Sequence, residues 1–390
     1  MTPVATIRVP FHISAVGEEE AQAVAEVIRS GWLTMGPKTV EFEQKFASYV
    51  GAKHAVAVSS CTAALHLALD AIGLRAGDEV LVPTTTFTST GEVVAYFGAR
   101  PVLVDIDPVT MNIDPEDAAR RVTSKTRAII PVHLSGQPCD MEEIRVLADR
   151  HGLIVIEDAA HAVPASYQGI PVGAISPITA FSFYATKTLT TGEGGMLTTA
   201  SDKYADRMRI MRLHGISREA WKRYTAEGSW YYEVLEAGFK YNMTDMNAAL
   251  GLVQLAKCER MAASRRAIAQ RYSAAFASQP ALQCPTVKAE RESAWHLYIL
   301  RLRTEAVTLD RNQFIEALKQ RGVGTSVHFI PLHLHPFYRD RYGYRPGDLP
   351  NAEQQYARCV SLPLFPGMTD ADVSYVIEAV SEIVASASRS

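Results

Sequence analysis

The stretch Ser182-Phe-Tyr-Ala-Thr-Lys-Thr-Leu-Thr-Thr-Gly-Glu-Gly-Gly195 decides how the chain is read. It finishes the apolar run Ile178-Thr-Ala-Phe-Ser-Phe-Tyr184 and leads into a second one, Gly195-Met-Leu-Thr-Thr199. So short a glycine-rich connection joins two strands only in antiparallel fashion. It also puts Lys187 just past the end of a strand that reads as buried, where an ammonium is costly unless solvated, neutralised or bonded. By itself the lysine reads more simply as a solvated residue of a hairpin loop.

Five more runs rich in Val and Ile precede this pair: His54-Ala-Val-Ala-Val58, Glu79-Val-Leu-Val82, Pro101-Val-Leu-Val-Asp-Ile106, Ala128-Ile-Ile-Pro-Val132 and Leu153-Ile-Val-Ile156. Most are continuous rather than alternating, which predicts strands covered on both faces. Helical stretches over 62–72, 114–121 and 141–151 lie between them. The alternation predicts an α/β fold with a mostly parallel seven-stranded sheet and helices on both faces. Farther on, a helix is expected over 201–214, and 215–240 reads as a loop-like insert carrying Trp221, Trp230, Tyr231 and Tyr232. A long helix over 245–276 has its apolar stripe at Met246, Ala249, Leu250, Val253 and Ala256. A strand at Leu297-Tyr-Ile-Leu-Arg-Leu302 and helices over 311–321 and 370–385 predict a smaller C-terminal α+β domain. The expected division falls inside the long helix, giving a large domain 1–260 and a small domain 261–390.

Composition bounds the function classes. The chain has 390 residues, a net charge of −3 and 47% hydrophobic residues, ample for two cores. The near-neutral balance gives no reason to expect a nucleic-acid partner. Five scattered cysteines, Cys61, Cys139, Cys258, Cys284 and Cys359, show no zinc-ligand spacing, so no metal is expected and the thiols read as reduced, in a cytoplasmic protein. No apolar run approaches the ~18 residues of a membrane span, and the amino terminus has no signal-like apolar core.

In open parallel sheets ligands bind beyond the carboxyl ends of the strands, so the polar residues there are the candidates. Ser59-Ser-Cys-Thr-Ala-Ala64 opens a helix after the first strand; its amides and the Thr62 hydroxyl suit an anion, although a plain helix cap explains them as well. No P-loop or Rossmann glycine pattern accompanies it, so a nucleotide cofactor is not favoured. Phe87, within Pro83-Thr-Thr-Thr-Phe-Thr-Ser-Thr90, is either a core aromatic or a ring that stacks on a flat heterocycle. Asp158 and His161, in Glu157-Asp-Ala-Ala-His161, are a strand-end carboxylate and an imidazole; separately they read as a cap and a structural histidine. Together these residues are complementary. An anion cradle at Thr62, a stacking ring at Phe87, a carboxylate for a pyridinium nitrogen at Asp158 and an amine for an imine at Lys187 make one site for pyridoxal 5'-phosphate, with the Ser182 hydroxyl toward the phosphate.

The chain also resembles, along nearly its whole length, the sugar aminotransferases of the DegT/DnrJ/EryC1/StrS family. The motifs that carry the resemblance are Gly31-Trp-Leu-Thr-Met-Gly-Pro37, Glu157-Asp-Ala-Ala-His-Ala162, Phe181-Ser-Phe-Tyr-Ala-Thr-Lys187, Gly238-Phe-Lys-Tyr-Asn-Met-Thr-Asp245, Val327-His-Phe329 and Pro331-Leu-His-Leu334. The resemblance implies the type I, aspartate-aminotransferase-like fold of PLP-dependent transferases. It implies a covalent link from Lys187 to the cofactor, with pyridoxamine phosphate as the alternate form, and Asp158 as the pyridine partner. Cys61, Thr62, Ala63 and Ser182 are then expected around the phosphate, with Phe87 and His161 at the ring.

Many members have Asn-Tyr-Arg where this chain has Lys240-Tyr-Asn242, and there the Asn reaches the neighbouring subunit's site. Lys240 or Asn242 is the expected counterpart, which implies a homodimer with shared sites. Trp32, Thr34, Tyr184, Lys222, Arg223 and His328 are the expected substrate contacts. The implied reaction is ping-pong transfer of an amino group from L-glutamate to a nucleotide-linked keto sugar. The Lys-Tyr-Asn form, His161 and the Gly-Trp-Leu-Thr loop most resemble the branch that aminates a UDP-4-keto-pentose, which points to C4. Amination at C3 or of a keto-inositol, and a non-catalytic regulatory role on the same fold, are the alternatives. Sugar 3-dehydratases of the family carry His in place of the lysine, so Lys187 argues against that group.

Overall fold

A computed structural model describes residues 7–217 and 231–389. The strands are β1 (His54–Val58), β2 (Glu79–Pro83), β3 (Arg100–Val104), β4 (Thr126–Ile129), β5 (Ile154–Asp158), β6 (Ser166–Tyr167), β7 (Ile170–Pro171), β8 (Ile178–Ser182), β9 (Gly195–Thr199), β10 (Leu282–Gln283), β11 (Arg291–Glu292), β12 (Tyr298–Leu302) and β13 (Cys359–Leu362). The helices are α1 (Glu18–Ser30), α2 (Pro37–Val50), α3 (Cys61–Ala71), α4 (Ser89–Tyr96), α5 (Pro115–Arg121), α6 (Met141–His151), α7 (Asp202–Met211), α8 (Asp245–Phe276), α9 (Arg311–Gln320), α10 (Pro336–Tyr342), α11 (Pro350–Tyr356) and α12 (Asp370–Ser386).

Seven strands form the main sheet in the order β1-β9-β8-β5-β4-β2-β3. The pairs β2–β3, β2–β4, β4–β5 and β5–β8 are parallel, and β9 runs against both its neighbours, as the short link from Tyr184 to Gly195 requires. The continuous apolar runs are explained by the two faces. Val56, Val58, Ile178 and Ala180 pack toward α3, α4 and α7 on one face. Ala55, Ala57 and Phe181 pack toward α2 and α8 on the other, while Leu81, Ile129 and Val155 meet α5 and α6. With helices on both sides most strand positions are buried, the exposed ones being Arg100 on β3 and Arg127 on β4.

A second core lies around the antiparallel β10-β12-β13 sheet, closed by α9 and α12. The long helix α8 serves both cores: Ala248 and Cys258 pack in the first, Ile268, Tyr272 and Phe276 in the second. Its first residue, Asp245, is buried and ties down the start of α2, accepting from the backbone N–H of Gly36 at 2.8 Å and of Thr39 at 2.9 Å. A carboxylate across a helix amino terminus is favoured by the orphan N–H groups there.

Some boundaries differ from the sequence-based ones for local reasons. The third strand stops at Val104 because the Asp105 carboxylate turns to the amides of Asn351 and Ala352 at the start of α11. The run ending at Tyr184 leaves the sheet after Ser182, where the chain turns. The polar segment after β2 leads into α4 from Ser89, a helix that the sequence pattern did not predict.

Candidate active site

The carboxyl ends of β1, β2, β5 and β8 face the same edge of the sheet. Because β9 is antiparallel, its first residue Gly195 reaches that edge too, paired with both Val58 and Ser182. A cavity of about 380 Å³ opens there, within the range of cofactor-sized sites.

Its floor begins at α3. Ser60 caps the helix, its hydroxyl accepting from the Ala63 amide at 3.1 Å, which leaves Cys61 and Thr62 on the cavity wall and takes Ala63 off it. The strand β9 passes so close that a Cβ on Gly195 would lie 2.5 Å from the Ser60 carbonyl carbon and 2.8 Å from the Cys61 nitrogen. Only glycine allows this approach of two backbones.

Lys187 enters from β8. A turn closed by the Lys187 amide on the Tyr184 carbonyl, at 2.9 Å, swings it back over the edge. The loop is pinned by Ser14, whose hydroxyl donates to the Ala185 carbonyl at 2.7 Å, and by Thr188, which donates to the Val163 carbonyl. The lysine is half-buried and lines the cavity. Burial pulls its ammonium down to about 8, against the opposing pull of Cys61 and Asp158.

Asp158 ends β5 and is 4% exposed. Burial raises its carboxyl above the usual range; the Thr90 hydroxyl at 2.8 Å, the Ala160 amide at 3.1 Å and the charge of Lys187 pull the other way. Three imidazoles, His161, His296 and His328, line the cavity with Phe87 and Phe329. Burial holds all three below the ordinary histidine value, His328 at about 4, and the charge of Lys187 adds to the effect. They are therefore neutral hydrogen-bonding rings near neutral pH. The Cys61 thiol is pushed well up by burial and stays protonated.

The cavity thus brings together Cys61, Thr62, Phe87, Asp158, His161, Ser182, Tyr184, Lys187 and His328 of the expected residues. It does not include Ala63, Trp32, Thr34, Lys240 or Asn242 of the same chain. The Trp32 indole donates to the Met35 carbonyl at 3.2 Å, and the Thr34 carbonyl accepts from the Asp245 amide, so both belong to the turn that leads into α2. Lys240 is exposed and bonds to the Asn242 side chain. Lys222 and Arg223, with Trp221 and Trp230, lie outside the described residues.

The sequence reading missed Thr86, Ser89, Glu193, Gly194, His296 and Phe329, all on the wall, and Thr90 behind Asp158. Thr86, Ser89 and Thr90 stand in the quoted Pro83–Thr90 segment, where their strand-end position was the available signal. His296 precedes an apolar strand in the second core, and nothing in its own neighbourhood marks it.

The architecture is that of the aspartate-aminotransferase-like PLP-dependent transferases, with an amine and a carboxylate at the carboxyl edge of the large sheet. The chain belongs to the DegT/DnrJ/EryC1/StrS aminotransferase family, which it matches over residues 14–381. It is 52% identical over 376 residues to the spore coat polysaccharide biosynthesis protein SpsC of Bacillus subtilis, covering 96% of this chain and 97% of that one. Among solved structures it is similar to Spr1654 of Streptococcus pneumoniae, assigned as a sugar aminotransferase, in its PLP form: 33% identity, TM-score 0.91, covering 97% of this chain and 99% of the other. PseC of Helicobacter pylori, an aminotransferase of pseudoaminic acid biosynthesis, is 27% identical at a TM-score of 0.90, with coverage of 97% and 99%.

Proposed function

We propose that the protein transfers an amino group from L-glutamate to C4 of a nucleotide-linked keto sugar, using pyridoxal 5'-phosphate bound covalently at Lys187. The observation that carries this reading is the placement of Lys187, Asp158 and the amino terminus of α3 around one cavity. The donor set fits the group. An amine with a pKa of about 8 holds a far larger neutral, nucleophilic fraction near neutrality than an ordinary lysine does. A buried carboxylate answers a pyridinium, and helix amides beside Cys61 and Thr62, with the Ser182 hydroxyl, answer a phosphate. The PLP and PMP forms of Spr1654 support the same cofactor here.

When bound, the cofactor supplies an aldehyde carbon that takes and returns the amino group and a ring that withdraws electrons. Asp158 holds the proton on the ring nitrogen. Lys187, once free, takes the proton from the amino donor's α-carbon and delivers one to the sugar carbon in the return half. Phe87 and His161 cover the ring, and Tyr184 and His328 contact substrate. The position of Lys240 and Asn242 away from their own cavity supports a homodimer in which they act in the partner's site. Lys222 and Arg223 are proposed contacts of the substrate diphosphate.

The test is to mix the purified protein with pyridoxal phosphate and glutamate, then with UDP-, dTDP- and GDP-linked keto sugars, reading the aminated carbon by NMR. Formation of pyridoxamine phosphate followed by a 4-amino sugar is expected. Lys187→Ala should lose both the visible cofactor band and turnover, and a variant that keeps both refutes the assignment.

A further inference from the structure

We propose that His296 is a positioning residue whose ring holds the His161 imidazole in the one orientation that keeps its Nδ1 on the Ser135 amide, and so in one tautomer toward the cavity. The two rings are in contact, with centroids 4.4 Å apart and planes tilted by 44°. The His161 Nδ1 accepts the Ser135 amide at 3.3 Å, so its proton sits on Nε2. The same Ser135 accepts the His296 amide through its carbonyl at 2.9 Å. One residue therefore ties both histidines, and it does so at a positive φ of 62°, a conformation costly for a non-glycine residue. On its far side the His296 carbonyl is held by the buried Arg265 guanidinium at 3.3 Å.

His296 is 6% exposed, and its Nδ1 has no hydrogen-bond partner. A buried polar atom without a partner calls for an explanation. The place of the ring gives one. It lines both the main cavity and a second void of about 20 Å³ shared with His12 and His328, so it forms the partition between them. Removing the ring would open the His161 wall to that void and to water. The charges that act on His296 come from His161, Lys187, Arg265 and His328, with His12 across the small void, and none of these is an acid.

Only the catalytic consequence rests on the reading of the cavity as the active site; the ring contact does not. The experiment is imidazole ¹⁵N NMR on the purified full-length protein labelled at histidine, with His161 assigned through His161→Gln. In the parent protein His161 should show the Nε2–H tautomer alone and no protonation near ~6.5. In His296→Ala it should show mixed tautomers and a midpoint shifted up toward that value, and His296→Phe, which restores a ring, should reverse the change. An unchanged His161 signal in His296→Ala, or no recovery in a folded His296→Phe, overturns the proposal. If the alanine variant does not fold, the parent decides: a ring-to-ring nuclear Overhauser contact between His161 and His296 is expected, and its absence overturns the proposal. Covalent capture of pyridoxal phosphate at Lys187 tests the site assignment separately, since that step does not require a fixed His161.

Discussion

Thr90 donates its hydroxyl to Asp158 Oδ2 at 2.8 Å and accepts in turn from Thr86 at 2.7 Å. This short chain at the start of α4 supplies the leading downward pull on the Asp158 carboxyl, against the larger upward pull of burial.

Thr90→Val keeps the shape and deletes the donor. A hydrogen bond to a charged group is worth about 1.5–3 kcal/mol, so turnover should fall at least about ten-fold. The lost bond favoured the ionised form, so the carboxyl rises further and the acid limb of the kcat–pH profile moves to higher pH. An unmoved limb in the variant would separate Thr90 from the chemistry of Asp158.

Burial disfavours the Lys187 ammonium, so the reactive amine accumulates as pH rises through about 8 rather than through the ordinary lysine value of 10.5. The rate at which cofactor-free protein captures pyridoxal phosphate should climb over that lower interval and level off above it. Stopped-flow absorbance across pH reads this directly, and a midpoint near the ordinary value would contradict the buried setting of the amine.

How far the sequence carried the reading depends on where each signal lay. Strands β1 and β9 were legible from their uninterrupted apolar runs, and the extent of helix α8 from its cap residue Thr244. Apart from Ala249, the stripe expected on α8 is not its buried face: Ala256 is exposed and Met246, Leu250 and Val253 are half-buried, while Ala248, Gly251, Gln254 and Cys258 are buried. Helices α1 and α2 were not read. The first has few large apolar residues in EEEAQAVAEVIRS, and the start of the second was absorbed in the Gly31–Pro37 loop although Pro37 at its first turn was a usable signal. In the site, Asp158 and Lys187 stood out as charges at strand ends. Thr90 and His296 did not, because a hydroxyl inside a threonine-rich run and a histidine from the other core acquire meaning only when the chain folds them against Asp158 and His161.

Gly195→Ala tests the anion cradle. The new methyl group would meet the Ser60 carbonyl carbon and oxygen, each at 2.5 Å, and these are backbone atoms that cannot rotate away. Overpacking of this kind costs about 1–3 kcal/mol. Pyridoxal phosphate affinity should drop at least about five-fold, and more than that of pyridoxal, which lacks the phosphate. Equal losses for the two ligands, by equilibrium titration, would remove Ser60–Thr62 from phosphate binding.

Burial lowers four histidines near the site: His12 and His328 to about 4, His161 and His296 well below their ordinary value. In the unfolded chain each takes a proton below ~6.5, while the folded chain takes it only at lower pH. Unfolding then takes up protons, and the stability present above that pH is lost progressively as pH falls toward 4. Thermal unfolding of the cofactor-free protein should show Tm falling over this interval, and less steeply in His12→Gln. An equal slope in the two proteins would mean that His12 does not contribute.

The central claim is that the amine at position 187 is the one that binds the cofactor aldehyde. Treating the protein with pyridoxal phosphate, reducing with borohydride and mapping the modified peptide by mass spectrometry tests it most directly. The account predicts a phosphopyridoxyl group on Lys187 alone. Labelling of another lysine with Lys187 unmodified, or no stable label at all, would contradict it.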